Sequence, residues 1–331
     1  MIPLDPPLEQ LVFEVSYGCN AACVFCYNCW KAGPYPRGQL LTPGQYERLI
    51  ERLPVAGMHA ISGGEPLARP GIMEVADAIV SSGRPTMLLT NGLALDDRMA
   101  DGIARRQLGV QLPIHGMGAL HDRTMGVPGA SRGLVRAALL LRERGVSLSS
   151  STVASKINIG SLEETLELSV ALGSRSILLI RFLPGGAGLD RRDLLLTRAE
   201  VERAYGILDD VCRRYGVAGA VGVPNIPCVI DEGAFKHVTF SSCGAGRSWF
   251  VIDPSGGLRM CNHSPTVYGN VLERPFEDIL QHPTLQRLHR SEVHPPGCSG
   301  CAKVGSCRGG CRAVAETMCG DLCGPDPLLT A

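Results

Sequence analysis

Fourteen cysteines stand among the 331 residues of the chain, and their spacing is its most informative feature. Three of them, Cys19, Cys23 and Cys26, lie in the single stretch CNAACVFC. The N-terminus, MIPLDPPLEQ, lacks the basic start and apolar run of a secretion signal, so a reducing cytoplasm is the expected setting. Thiols there point to metal or redox chemistry rather than to a disulfide framework. Thiolates ligate soft metals and iron–sulfur clusters, and a cubane cluster has four irons that each want one outside ligand. Three thiols close three irons and leave one open, as a catalytic zinc keeps one position free. The competing readings are a zinc site that borrows Cys29 and an ordinary buried thiol cluster. The loop position after a strand and the aromatic Phe25 before the last cysteine weigh against both.

Such a loop must be held by regular elements. Apolar, β-branched runs predict strands at Leu11–Ser16, Met58–Ser62, Thr86–Thr90, Val110–Ile114, Ser147–Val153 and Ile177–Phe182. Helical periodicity fills the intervals at Gly71–Ser81, Asp96–Arg106, Ser131–Glu143 and Leu162–Leu172, with start signals such as Thr42-Pro43. This alternation predicts a parallel α/β sheet closed as a barrel or partial barrel. Chemistry in such barrels sits at the C-terminal ends of the strands. Cys19 follows the first strand, Gly63-Gly64-Glu65-Pro66 the second, Thr90-Asn91-Gly92 the third and His115-Gly116 the fourth, so all the suggestive residues fall at one face.

Length predicts one large domain and a smaller one. The texture changes near residue 220, and nine of the cysteines lie beyond residue 227, so the expected division is 1–220 and 221–331, the second organised by metal. Lys plus Arg equals Asp plus Glu at 32 each, so no net field draws nucleic acid or an anionic membrane. No stretch approaches the ~18 uninterrupted apolar residues of a membrane span.

CNAACVFC resembles the C-x3-C-x-aromatic-C signature of the radical S-adenosylmethionine (radical SAM) enzymes, and Gly63–Pro66 resembles that family's GGEP segment. The resemblance implies a partial (β/α)6 TIM-like barrel and a [4Fe–4S] cluster whose open iron chelates the amino and carboxylate groups of SAM. It further implies that residues 63–66 bind the SAM amino group, with Glu65 as an acceptor. Asn91, and Arg181 in LLIRFLPGG, are similar to further SAM-proximal elements, although Asn-Gly after a strand is commonly a turn and Arg181 is also readable as a sheet-edge charge.

The tail has its own pattern: Cys243, Gly256 and Cys261, then Cys298-x2-Cys301-x5-Cys307-x3-Cys311, with YGNV between the two groups. It resembles the SPASM domain, the Cys-rich auxiliary-cluster extension of one radical SAM subfamily. A pair of zinc ribbons would favour two C-x2-C knuckles, and the pattern holds one. The resemblance implies two auxiliary [4Fe–4S] clusters, one on Cys298, Cys301 and Cys307, the other on Cys243, Cys261 and Cys311. The family's last cysteine often follows an Asp-Pro near the C-terminus, but Asp326–Leu329 has none, so Cys323, or else Cys319, is expected to replace it. Cys228 is the candidate fourth ligand of the other cluster, unless that cluster stays open to substrate. Cys212 reads as core, and Cys29 as packing, a late ligand or a hydrogen-atom donor.

The implied chemistry is reductive cleavage of SAM to a 5′-deoxyadenosyl radical, hydrogen abstraction from a substrate C–H bond, and loss of an electron to the auxiliary clusters. His115 is the candidate base, beside the alternative of a structural histidine. Maturation of a ribosomal peptide or protein side chain, as in natural product biosynthesis, is the first expectation. A dehydrogenase or epimerase of a sugar or aminocyclitol is the second, and a non-catalytic iron–sulfur electron carrier the third. The thiol loop begins at residue 19, which leaves no room ahead of it for a leader-binding domain and suggests a small substrate or a separate peptide-recognition protein. A reductant such as flavodoxin or ferredoxin is the other expected partner.

Overall fold

The structure, a computed structural model, describes residues 6–31, 35 and 38–330. The six expected strands form as β1 (Gln10–Glu14), β2 (Met58–Ser62), β3 (Thr86–Leu89), β4 (Gly109–Pro113), β5 (Leu148–Ala154) and β6 (Ser176–Arg181). Seven helices accompany them: α1 (Pro43–Arg52), α2 (Ile72–Val80), α3 (Asp97–Arg105), α4 (Ala119–Met125), α5 (Ala130–Glu143), α6 (Leu162–Ala171) and α7 (Arg198–Tyr215). Leu11, Val12 and Phe13 of β1 are all buried, the mark of a parallel strand covered on both faces. Side-chain caps fix the helix starts. Asp96 Oδ1 accepts from Met99 N at 2.7 Å, and Thr197 N donates to Glu200 Oε2 at 2.8 Å.

Neighbouring strands from β1 to β6 pair in parallel and in chain order, and β7 (Ala218–Val221) and β8 (Val238–Phe240) continue the same ladder. The tail adds to the opposite edge. Its β9 (Trp249–Ile252) lies parallel to β1, with Leu11 opposite Phe250 and Val12 opposite Val251, and turns back through β10 (Gly257–Arg259) to β11 (Gly269–Asn270). One sheet of eleven strands results, open at β11 and β8. WFVI is a strand too short to stand out in a Gly- and Cys-rich segment, and its place beside β1 is a tertiary fact. Gly256 permits the turn into β10, because its φ of 93° is left-handed and a Cβ there would lie 2.8 Å from Asn270 Oδ1.

The tail helices are α8 (Phe276–Leu280), α9 (Pro283–His289), α10 (Val304–Cys307), α11 (Arg312–Cys319) and α12 (Pro327–Thr330). Leu11 and Phe13 share one apolar cluster with Phe250, Leu258, Phe276, Leu288 and Val314, so the core runs across residue 220 without interruption. Two buried ion pairs bind the same halves. Arg259 meets Glu14, both wholly inaccessible, and Arg181 Nη2 meets Asp326 Oδ2 at 2.7 Å. Among the described residues no helix is long and apolar enough to cross a membrane.

Candidate active site and iron–sulfur ligand groups

The loop from Val15 to Tyr27 leaves β1 at the C-terminal face and is braced on three sides. From β2, Gly64 N donates to Ser16 O at 2.7 Å and Glu65 N to Gly18 O at 2.8 Å. The paired glycines are required there, since a Cβ on Gly64 would lie 2.0 Å from Gly18 O. From the end of α4, Met125 O accepts from Ala22 N and Thr124 O from Val24 N, both at 3.0 Å. From the segment after β6, Gly188 N reaches Cys26 O at 3.4 Å, and Phe25 packs on Phe182 and Leu194.

Cys19, Cys23 and Cys26 are thereby brought together. Burial pushes the Cys23 thiol up to about 12, and the nearby Cys26 and Cys19 charges push the same way. Burial raises Cys19 as well. Asn91 Nδ2 donates to Asn20 Oδ1 at 2.7 Å and lies 3.9 Å from Cys19 Sγ.

Glu65 is buried beneath the loop. Its Oε1 accepts from Leu67 N at 2.9 Å and Thr90 Oγ1 at 2.5 Å, and its Oε2 accepts from Asn91 N at 2.8 Å. Burial outweighs these bonds and raises its carboxyl. About three of its four acceptor positions are filled, so its first task is to tie the second strand's loop to the third's.

Two residues depart from expectation. Arg181, expected near SAM, is 4% exposed and turned to Asp326, whose Oδ2 also accepts from Cys311 N at 2.7 Å; the guanidinium serves the tail. His115, expected as a base, lies edge-on to Phe25 at 4.7 Å and accepts from Val153 N through Nδ1 at 3.2 Å. Burial, then the His121 charge, lowers it to about 3, so it is a neutral core histidine whose only basic nitrogen is already bonded.

The tail thiols form two groups. Burial, then the charges of Cys311 and Cys243, raises Cys261, and burial, then the Cys243 charge, pushes Cys311 up to about 12. Cys298 is raised by burial first and then by Cys307, Cys228 and Cys301, and Cys307 by burial and then by Cys228 and Cys301. Cys307 Sγ lies 3.8 Å from Asn225 O, so the loop that carries Cys228 runs beside the knuckle group, whereas the group of Cys243 was expected. Cys323 lies apart, its Sγ 3.7 Å from Arg287 Nη2 of α9. A Cβ on Gly324 would lie 3.1 Å from Cys319 Sγ, so the loop of Cys323 folds back on that thiol.

Among the described residues no three His, Cys, Asp or Glu side chains are placed to share one metal ion. Ligands of a cubane each hold a different iron and need no such convergence. An orphaned donor supports the fit. Arg308, between Cys307 and Cys311 in sequence, is 1% exposed and gives only Nη1 to Ala245 O at 3.2 Å, leaving buried Nε and Nη2 without a partner. Burial lowers it to about 10, and the Cys243 charge opposes that. A cation with two free donor nitrogens beside a thiol suits the sulfides of a cluster. The thiol donor sets and this arginine therefore fit iron–sulfur clusters.

Sequence reading missed Arg308 and a contact between the segments that carry two of the thiol groups. Tyr27, next to Cys26, stacks on His263, two residues beyond Cys261, at 5.8 Å and 19°. Arg259 adds a second link, since Nη1 lies 3.1 Å from Cys29 Sγ and 2.9 Å from Ser264 O. A lone Arg in a cysteine motif is a weak signal, and neither the stack nor the Arg259 link has a local one.

Residues 13–169 match the model of the radical SAM superfamily, and residues 243–302 that of the SPASM iron–sulfur cluster-binding domain. The chain is 30% identical to the mycofactocin maturase MftC of Mycobacterium ulcerans, over 98% of this chain and 88% of that protein. It is 26% identical to the AdoMet-dependent heme synthase of Methanosarcina barkeri, over 99% of this chain and 97% of that protein. The fold is that of SuiB from Streptococcus suis, solved with S-adenosylmethionine, at a TM-score of 0.78 and 17% identity over 99% of this chain and 77% of that one. The chain therefore belongs to the radical SAM superfamily, in its SPASM branch: an enzyme whose barrel binds a [4Fe–4S] cluster with SAM and whose tail binds auxiliary iron–sulfur clusters.

Proposed function

We propose that the protein oxidises or cross-links a side chain of a ribosomal peptide or protein. The observation that carries this reading is the resemblance to the mycofactocin maturase over nearly the whole chain, barrel and tail alike. When bound, SAM on its cluster supplies a 5′-deoxyadenosyl radical and the auxiliary clusters supply an electron acceptor. Cys19, Cys23 and Cys26 hold the first cluster. Residues 63–66 and Asn91 line the SAM side, with Glu65 bracing them. Cys243, Cys261 and Cys311 hold one auxiliary cluster, and Cys298, Cys301 and Cys307 the other. The Tyr27–His263 stack, which joins the segments that carry Cys26 and Cys261, supports an oxidation that passes an electron to the tail. The division at 220/221 is a working one, supported by the change in composition there.

The heme synthase similarity favours a second reading, oxidation of a small molecule. Either requires a low-potential reductant such as flavodoxin or ferredoxin. The test is anaerobic reconstitution followed by SAM, reductant, and either the short peptide encoded beside the gene or tetrapyrrole, sugar and aminocyclitol candidates. The expected result is 5′-deoxyadenosine together with a peptide lighter by two hydrogens. An unchanged peptide with an oxidised small molecule would move the assignment to the second reading, and no SAM cleavage at all would remove both.

A further inference from the structure

We propose that Cys228, from the loop after β7, is the fourth thiolate of the auxiliary cluster held by Cys298, Cys301 and Cys307, and that neither Cys323 nor Cys319 ligates it. The proposal rests on the reading of these three as cluster ligands and adds the residue that closes the set.

The loop is preformed for this task. Asn225 Nδ2 donates to Ile230 O and Glu232 Oε1, both at 3.0 Å, and closes the segment around Cys228. Ile226 O accepts from Val229 N at 2.8 Å and from Ile230 N at 3.0 Å, so residues 226–230 make one tight turn. Ile226 and Ile230 are wholly buried at its two ends, whereas Cys228 between them is exposed. Two apolar anchors pin the turn and leave its thiol outward.

What the turn lies against is the knuckle group. Cys307 Sγ is 3.8 Å from Asn225 O, and Cys307 packs on the apolar cluster that holds Ile226, Ile230 and Leu328. Asn225 stands three residues before Cys228 at the base of this turn, so the turn carries the fourth thiol to the Cys307 side. Leu329, in the position where a C-terminal cysteine was expected, belongs to this same apolar cluster. Chain order nominates Cys323 or Cys319 instead, but the loop of Cys323 folds back on the Cys319 thiol. Cys323 N donates to Asp321 Oδ1 at 2.9 Å in a turn that faces Arg287, and Cys323 packs on the apolar cluster of Leu285 and Leu288, not on the one that holds Ile226, Ile230 and Cys307. Three thiolates leave one iron of a cubane unligated, and the soft donor on the turn beside Cys307 is Cys228.

The test begins with the wild-type chain, reconstituted anaerobically and counted for iron, then alkylated with iodoacetamide before and after a chelator strips the iron, with sites read by mass spectrometry. At about twelve irons per chain Cys228 should resist alkylation while Cys319 and Cys323 react, and stripping should expose Cys228. Alkylation of Cys228 in the fully loaded chain, or protection of Cys323 in its place, would overturn the assignment. Cys228→Ser should lose about four irons, or show the electron-resonance signal of a three-iron cluster, while Cys323→Ser keeps the wild-type iron content and spectrum. A wild-type chain holding only about four irons would instead strike the auxiliary-cluster reading on which the proposal rests.

Discussion

The two sets of thiols are assembled in different ways. Cys19, Cys23 and Cys26 come from one loop, and backbone bonds from the ends of β2, α4 and β6 hold it in shape. The tail thiols come from segments between residues 228 and 311, and they meet because β9 pairs with β1 and because Arg259 and Arg181 reach across the core. The first site is local chemistry placed on a rigid sheet. The second exists only once the chain has folded around it.

That contrast is open to attack. The largest effect is expected from Cys23→Ala, which should abolish SAM cleavage, whereas Cys301→Ala should keep cleavage and lose the oxidised product; 5′-deoxyadenosine and product measured in parallel decide it. Equal cleavage by the Cys23 variant would erase the division of labour.

Arg259→Met strands the buried Glu14 carboxylate and should cost about 3–5 kcal/mol of stability, read from a urea midpoint. Because Arg259 lies two residues before Cys261, auxiliary iron should fall before the SAM cluster is lost.

Glu65→Gln should do the reverse. Its amide nitrogen would face a hydrogen-bond donor, at a cost of about 1–3 kcal/mol, and SAM affinity should weaken roughly tenfold while tail iron stays at the wild-type level. Calorimetric SAM binding and iron counting test this.

The smallest effect concerns His115. In the folded chain burial holds it at about 3, against ~6.5 when unfolded. The unfolded chain therefore takes up the proton first as pH falls, and the stability that neutrality contributes, fully present above ~6.5, is lost on the way down toward 3. Between pH 7 and pH 5 that loss is roughly 1–2 kcal/mol, and His115→Asn should flatten the dependence without altering the pH profile of turnover. A displaced turnover profile would restore the residue as a base.

Much of the barrel was legible because short apolar or β-branched runs, such as Leu11–Phe13 in β1 and Ile177–Ile180 in β6, alternate with segments of helical period. Met58–Ser62 is a strand with the expected ends, and the others differ by a residue or two, where a terminal carbonyl such as that of Ser16 serves the next loop instead of the ladder. β7, β8 and β9 were not foreseen, since three or four residues carry too little periodicity to separate from loop.

Within the sites, residue type was informative where the chemistry is intrinsic to it. A triplet of cysteines and a pair of glycines state their use in any context, because few other residues supply soft ligands or allow such close backbone approach. Arg181 and His115 state nothing by type. Their partners, Asp326 and Val153, are chosen by packing, and burial then decided which charge is paired and which proton is lost. The sequence by itself determined the family, the cluster chemistry and the thiol triplet that leaves one iron open. Tertiary structure alone decided which thiols the loop of Cys228 runs beside and where Arg308, Arg259 and Arg181 find their partners, because those contacts join segments far apart in the chain that only the sheet and its buried ion pairs bring together.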